Sequence, residues 1–171
     1  MKIRLLIYGG MVIGWFVGWG LVVAAWAAFQ KNTLQPTQPI EYPHYIHVQK
    51  VGLQCTYCHQ YAEKSIHAGI PQAKFCMQCH ESIATDKPEI IKLTNYYKSG
   101  QPVPWVRVYT EPDWVYFSHK AHVLRGLKCQ ECHGPVEFFT TCQQVPSLSM
   151  GWCLECHNQR GAPRECNVCH K

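Results

Sequence analysis

The sequence predicts a single N-terminal membrane-spanning helix followed by a domain of short helices and loops that has little sheet. Residues 5–29 contain no charged side chain. Beyond residue 44 the apolar residues follow no sustained helical or strand period, and Gly and Pro interrupt them often. Within this second part the pattern Cys-x-x-Cys-His occurs five times. A chain of this kind buries too little side-chain surface to fold around a core of its own.

Cys-x-x-Cys-His is the attachment pattern of c-type haem, because two thiols at this spacing bond the two vinyl groups of one porphyrin and the adjoining imidazole binds its iron. We number the motifs as sites 1 to 5 in chain order. The thiols are those of Cys55 and Cys58, Cys76 and Cys79, Cys129 and Cys132, Cys153 and Cys156, and Cys166 and Cys169; the proximal iron ligands are His59, His80, His133, His157 and His170. The sequence therefore predicts a multihaem cytochrome c with five covalently attached haem c groups.

Zinc sites and disulfides also use paired cysteines, but neither explains the pattern. A zinc site usually combines two Cys-x-x-Cys halves, so five halves would leave one unmatched. Neither alternative requires a histidine at the same offset every time. Ten of the eleven cysteines belong to the motifs, and we interpret the remaining one, Cys142, as a spare thiol.

The apolar run from Leu5 to Phe29 is long enough for a helix to cross the hydrocarbon layer of a membrane, which is about 30 Å thick. Lys2 and Arg4 precede it and predict a cytoplasmic N-terminus. We therefore expect a single-pass protein of the bacterial cytoplasmic membrane whose haem domain lies on the outer, periplasmic face. A cleaved signal peptide is the alternative, since residues 25–27 read Ala-Trp-Ala, but the run exceeds the usual apolar segment of about 7–15 residues.

The composition indicates a membrane complex rather than a nucleic-acid-binding protein. Gly10, Gly14 and Gly18 recur at every fourth position, which would let another helix approach closely, although glycine is common in membrane helices in general. The formal charge of +5 is offset by about two propionates on each haem, so it predicts no nucleic-acid partner.

The chain divides into three parts. Residues 1–30 form the cytoplasmic tip and anchor, residues 31–43 a Pro-rich linker, and residues 44–171 the haem domain. An internal repeat divides this domain into two diheme modules, because a His-x-x-His pair followed by Gly-Leu precedes sites 1 and 3. The modules cover about 44–83 and 117–157, separated by an insertion at 84–116 and followed by the fifth haem segment at 158–171.

A haem that only transfers electrons is best served by two axial ligands, and the second must come from outside the motif. Five histidines remain for five irons. Two residues three positions apart share a helix face, so each His-x-x-His can serve two haems. We predict His44, His47, His119 and His122 as distal ligands. The fifth is His67, which satisfies the count, or Met150, whose thioether would raise the haem potential; we favour Met150.

Several sequence segments resemble those of the membrane-anchored pentahaem cytochrome c of bacterial alternative complex III. They are the His-x-x-His-Val…Gly-Leu-x-Cys-x-x-Cys-His units, Ala-Gly-Ile-Pro at 68–71 before Cys-Met-x-Cys-His, Trp-Val-Arg-Val at 105–108, Tyr-Phe-Ser-His at 116–119 and Leu-Ser-Met-Gly-Trp-Cys at 148–153. The resemblance implies a haem-packed domain similar to class III cytochromes of the c3 and c7 type, with the two His-x-x-His pairs as distal ligands. It also favours Met150, through the last segment.

The same resemblance implies an electron-transfer subunit of a membrane quinol:electron-acceptor oxidoreductase, without catalysis by this chain itself. Expected partners are an iron–sulfur subunit, quinol-binding membrane subunits and a monohaem cytochrome, with a soluble electron acceptor or terminal oxidase downstream. Two alternatives remain. A multihaem reductase of a small oxyanion would need one iron with an open distal position, and a stand-alone quinol dehydrogenase anchor would oxidise quinol by itself.

If haem attachment supplies the core, removing one haem should destabilise the whole domain. We expect the double variant Cys129→Ala, Cys132→Ala to be degraded, measured as its level in membranes by immunoblot and haem staining. Normal accumulation with four haems would contradict this expectation.

Overall fold

The computed structural model describes the backbone of residues 2–171 and the side chains of these residues except 2–6 and 32. Helix α1 covers Lys2–Leu34. Its 25 residues Ile7–Lys31 have a mean hydropathy of 1.9 and are not buried against the rest of the chain, so this helix is long and apolar enough to span a membrane. The side chains of Lys2 and Arg4, the predicted cytoplasmic anchor, lie outside the description.

The C-terminal end of α1 is attached to the domain that follows. A helix of 33 residues is about 50 Å long, whereas the hydrocarbon layer measures about 30 Å, so part of α1 extends beyond the membrane. The backbone N–H of Gln144 donates to the carbonyl of Leu34 at 2.7 Å, and the Gln35 side chain donates to Thr141. Module 2 thus holds the last turn of α1 directly.

The predicted linker 31–43 is hydrogen-bonded to the insertion rather than solvated along its length. The amide side chain of Gln38 makes two hydrogen bonds with the backbone of Val106, at 2.9 and 3.0 Å. The backbone N–H of Glu41 donates to the carboxylate of Glu89 at 2.7 Å. These hydrogen bonds therefore attach the predicted linker to the haem domain.

The domain consists of short helices joined by turns, as the sequence predicts. They are α2 (Cys55–Cys58), α3 (Ala73–His80), α4 (Pro88–Ser99), α5 (His119–Val123), α6 (Cys129–His133), α7 (Met150–Gln159) and α8 (Cys166–Cys169), with a π-helical turn at Ile46–Lys50 and a 3₁₀ turn at Val136–Phe138. Across residues 2–171 the β-structure is limited to an isolated antiparallel bridge between Val115 and His170.

The segment from the first histidine to the glycine is one residue longer in module 1 than in module 2, and the local helix type absorbs the difference. Eight positions separate His44 from Gly52, but seven separate His119 from Gly126. In module 1 the extra residue is taken up as a π turn, in which the Val51 N–H donates to a carbonyl five residues earlier. Gly52 and Gly126 then occupy the same left-handed conformation, with φ of 84° and 81°. Both modules therefore enter their first haem motif with matching geometry.

The insertion forms a small apolar core against site 2. Leu93 of α4 packs on Met77, which lies inside the site 2 motif on α3, and on Ile40 of the linker. Val103, Tyr96 and Trp105 surround this cluster. The insertion thus covers one face of site 2 and joins it to the linker.

Apart from this cluster the polypeptide has almost no interior. Among the described side chains, the buried apolar ones are Ile40, Ala62, Met77 and Leu93. Many large apolar residues of the domain, such as Tyr57, Leu124 and Phe138, are exposed. Such a surface is unfavourable for a folded chain in water, and haem attachment would cover it.

Because Leu93 lies at the centre of the insertion core, Leu93→Ala should leave a cavity and lower the free energy of unfolding by about 2–4 kcal/mol. The measurement is thermal unfolding of the detergent-solubilised protein followed by circular dichroism. The matched control is Ile91→Ala on the same helix, because Ile91 is 49% exposed whereas Leu93 is 5% exposed. Equal losses for the two variants would contradict the packing.

Candidate functional site

The five haem motifs all form helical turns, which explains their spacing. In α2, α6 and α8 the helix begins at the first cysteine, whereas in α3 and α7 the motif lies inside a longer helix. Residues three and four positions apart lie on one helix face, so both thiols and the following imidazole share a side. The backbone N–H groups of His59 and His170 donate to the first cysteine of their own motifs at 2.9 Å. Each turn therefore presents two thiols and one imidazole together.

Three pairs of imidazole rings face each other across a constant gap in the described part of the chain. The ring centres of His47 and His80 are 6.1 Å apart, those of His119 and His133 6.2 Å, and those of His122 and His157 6.0 Å. Each pair combines a predicted distal ligand with the proximal histidine of site 2, 3 or 4. The distances are nearly equal although the angles between the ring planes differ, at 65°, 1° and 51°.

The gap fits a metal ion between the rings. Two imidazoles that bind one ion from opposite sides, each through a bond of about 2 Å, have ring centres about 6 Å apart. In the first module His44 has the position that His119 has in the second, and His59 is among the imidazoles next to it. With this arrangement the predicted distal ligands become His44 for site 1, His47 for site 2, His119 for site 3 and His122 for site 4, and these assignments stay predictions.

Backbone carbonyls fix the orientation of most of these rings. The Nδ1 atom lies within 3.0 Å of a carbonyl oxygen in His47, His59, His80, His119, His122 and His157. A carbonyl only accepts hydrogen bonds, so Nδ1 must carry the proton and Nε2 keeps its lone pair. This is the arrangement in which histidine binds a metal through Nε2.

The environment also favours the neutral imidazole that binds metals. Burial, followed by the nearby imidazoles of His59 and His47, lowers the pKa of His44 to about 4. Burial, followed by His119 and His59, lowers the pKa of His133 to about 4. The pKa of His119 is also lowered, mainly by burial. These side chains remain uncharged at neutral pH and are available as ligands.

An aromatic residue two positions before each His-x-x-His pair orients both histidines. In module 2 the ring of Phe117 is edge-on to His119 at 4.8 Å and stacks on His122 at 4.6 Å. Tyr42 makes the same two contacts in module 1, with His44 at 4.9 Å and His47 at 4.4 Å. The sequence reasoning missed Tyr42, although its offset from His44 equals that of Phe117 from His119.

Each module contacts the first histidine of the other module's His-x-x-His pair. In module 2, both Nδ1 and the backbone N–H of His119 donate to the carbonyl of Ile66, at 2.9 and 3.2 Å. In module 1, Nδ1 of His44 lies 3.9 Å from the thiol of Cys142. Cys142, interpreted from the sequence as a spare thiol, therefore lies beside a predicted ligand.

The structure gives the two candidates for the fifth distal ligand different surroundings. His67 follows Ile66 in the loop that contacts α5, and it is among the imidazoles next to His119. Met150 is the first residue of α7 and is 62% exposed. Neither assignment is tested by these positions, and Met150 stays a prediction.

The donor set of these residues fits c-type haem. None of the eleven cysteines, all of them within the described residues, is paired in a disulfide. Burial, followed by the thiol of Cys129, raises the pKa of Cys55. The described residues contain no group of three or more His, Cys, Asp or Glu side chains gathered as a metal site. Thiol pairs and opposed imidazoles match covalent haem attachment with two axial nitrogens.

Comparison with known proteins agrees with this geometry. The chain matches the family described as cytochrome c7 and related cytochrome c over residues 40–95 and 115–171. The unmatched stretch 96–114 lies inside the insertion. The chain is also 36% identical over 125 residues to the menaquinone reductase multihaem cytochrome c subunit of Nitratidesulfovibrio vulgaris strain Hildenborough. That match covers 72% of this chain but 56% of the relative, so the chain spans little more than half of that protein.

The fifth distal ligand can be identified by comparing Met150→Ala with His67→Ala. We expect Met150→Ala to convert one ferric iron from low spin to high spin, because the iron loses its sixth ligand. The measurement is low-temperature EPR of the oxidised protein. His67→Ala is the matched control and should leave the low-spin signals unchanged; the opposite result would assign His67 instead.

Proposed function

Since this chain belongs to the family of cytochrome c7 and related cytochromes c, we propose that it carries electrons through five haem c groups as a subunit of a membrane quinol:electron-acceptor oxidoreductase of the alternative complex III type. The predicted fold class, a c7-like multihaem cytochrome domain, is confirmed by this family. Membership also implies covalently bound haem c. The count of five rests on the five Cys-x-x-Cys-His motifs.

The observation that carries the proposal is the set of opposed imidazoles. A haem supplies a reversible one-electron couple, and two nitrogen ligands keep its iron in nearly the same geometry in both oxidation states. At three sites the histidine of the motif and a predicted distal histidine have ring centres about 6 Å apart, which supports the proposal. Ligands of this kind suit electron transfer and leave no vacant position for a substrate.

The residues of the chain have distinct roles in this function. Each motif's cysteines would fasten a porphyrin, and the paired histidines would bind its iron. The carbonyls of Pro43, Ser118 and Ile66 hold three distal imidazoles in the required tautomer. Tyr42 and Phe117 keep the rings of each His-x-x-His pair in place. The protein thus fixes the ligands before and after each electron transfer, which keeps structural rearrangement small.

The relative and the sequence resemblance support the same kind of complex but suggest opposite directions of electron flow. The relative is named as part of a menaquinone reductase, whereas alternative complex III oxidises quinol. Both activities exchange electrons between the quinone pool and partners outside this chain. We propose quinol oxidation, with an iron–sulfur subunit, quinol-binding membrane subunits and a monohaem cytochrome as partners and a soluble acceptor or terminal oxidase as the destination.

The proposed location is the cytoplasmic membrane, with the haem domain on the periplasmic face. Helix α1 supports membrane anchoring through its length and hydropathy. The orientation rests on Lys2 and Arg4 at the start of this helix. Periplasmic exposure also suits a chain with eleven cysteines, ten of them in haem attachment motifs.

A reductase of a small oxyanion is the second candidate function, and its substrate would bind at the iron of site 5. Sites 2, 3 and 4 each have an opposed pair of histidines, and His44 is available for site 1. Site 5 would provide an open position only if neither Met150 nor His67 binds its iron. Binding of cyanide or nitric oxide to one haem of the intact protein would favour this candidate.

The proposal is tested by isolating the native complex through an affinity tag on this chain. Adding menaquinol should reduce the c-type haems, seen as the sharp absorption band of ferrous haem c, and electrons should then reach an added periplasmic acceptor. The matched sample is the tagged chain expressed without its partners, which we expect to remain oxidised.

Three outcomes contradict the proposal in different ways. Quinol oxidation by the isolated chain would make it a stand-alone dehydrogenase anchor. A complex that reduces menaquinone from a soluble donor but does not pass electrons from menaquinol to an acceptor would be a quinone reductase. A mass corresponding to fewer than five haems would contradict the cofactor count.

A further inference from the structure

We propose that site 1, and not site 2, joins the two modules, so that the haem sites follow the spatial order 2, 1, 3, 4, 5 instead of their order in the sequence. This inference rests on the five-haem assignment of the proposed function. It concerns which sites are neighbours, and it holds whichever direction the electrons take.

Reciprocal hydrogen bonds between the modules bring sites 1 and 3 together. The backbone N–H of Lys120, next to distal ligand His119, donates to the carbonyl of Ser65 at 3.0 Å. The backbone N–H of Tyr45, next to distal ligand His44, donates to the carbonyl of Phe139 at 2.9 Å. Ser65 and Phe139 each follow the proximal histidine of their module's first site by six residues. The interface is therefore made by corresponding parts of the two modules.

Side chains at this interface belong to the first site of each module. The His119 imidazole, assigned to site 3, donates to Ile66 in the loop after site 1. The His44 imidazole, assigned to site 1, lies beside Cys142 in the loop after site 3. Sites 1 and 3 thus meet through their distal ligands and the loops that follow their motifs.

Site 2 lies away from this interface. On one side it contacts site 1, because the ring of Tyr57, inside the site 1 motif, lies 5.2 Å from the ring of Phe75, next to Cys76. On its other side α3 packs against α4 of the insertion through Met77 and Leu93. On that side polypeptide of the insertion lies next to site 2.

Sites 4 and 5 continue the array from site 3. Glu131, inside the site 3 motif, forms an ion pair with Arg160 just after α7, which carries site 4. The Arg164 side chain then connects the segment before site 5 to Asn158 of α7 at 2.7 Å. The array accordingly has two ends, site 2 beside the insertion and site 5 near the C-terminus of the chain.

EPR of ligand variants distinguishes the two orders. Low-spin ferric irons broaden the signals of their nearest neighbours through dipolar coupling, and a methionine ligand raises the potential of its own haem. In His44→Met or His47→Met, a suitable applied potential should therefore make the chosen iron ferrous and diamagnetic, together with the iron bound by Met150, while the other irons stay ferric. The unsubstituted protein at the same potential, in which only the Met150 haem is reduced, supplies the reference signals. The number of remaining signals that sharpen then equals the number of its neighbours.

We expect His44→Met to sharpen at least two signals and His47→Met to sharpen one. Sequential order would reverse these counts and overturn the inference. Either variant decides the question alone, so failure of one to accumulate does not remove the test. His119→Met should sharpen at least two signals under both orders and serves as the control. Mass measurement of five attached haems in each variant separates this test from a failure of the five-haem assignment, and no quinone is involved.

Discussion

The structure depends on the spacing between opposed imidazoles. Three histidine pairs have ring centres about 6 Å apart, a spacing that suits an ion bound from both sides. The polypeptide contributes few apolar contacts of its own, with a single small cluster around Met77, Leu93 and Ile40 in the described residues. Cofactor attachment and folding are therefore coupled, because the groups that carry electrons also replace the missing interior.

The internal repeat explains how one chain satisfies this constraint several times. Tyr42 and Phe117 contact their two histidines with nearly equal distances, although the segment from the first histidine to the glycine is one residue longer in module 1. The π turn at Ile46–Lys50 absorbs the extra residue without displacing Gly52. A ligand geometry can thus be kept while the sequence around it changes, provided that the change is taken up by the local hydrogen-bond pattern.

Much of this architecture could be predicted from the sequence, because the haem motif imposes its own spacing and a long uncharged run predicts its own helix. The fold class and the short helices were predicted from these patterns. The contacts between modules were not, since Ile66 acts through its backbone carbonyl and Cys142 through its position beside His44. Neither role produces a pattern that can be recognised in the amino-acid sequence. The role of the insertion could not be predicted either. Leu93, Met77 and Ile40 are far apart in the sequence and pack together only in the folded chain.

The junction between α1 and the haem domain affects how the protein meets its partners. Gln144 hydrogen-bonds to Leu34 at the end of α1 and Thr141 to Gln35 just after it, and Gln38 and Glu41 attach the following residues to the insertion. A cytochrome on a flexible tether searches for its donor by diffusion. Because these hydrogen bonds fix the junction, the haem domain would keep a constant distance and orientation relative to the membrane surface. Electron exchange with a neighbouring subunit would then rely on permanent assembly, and only an external acceptor would need to diffuse.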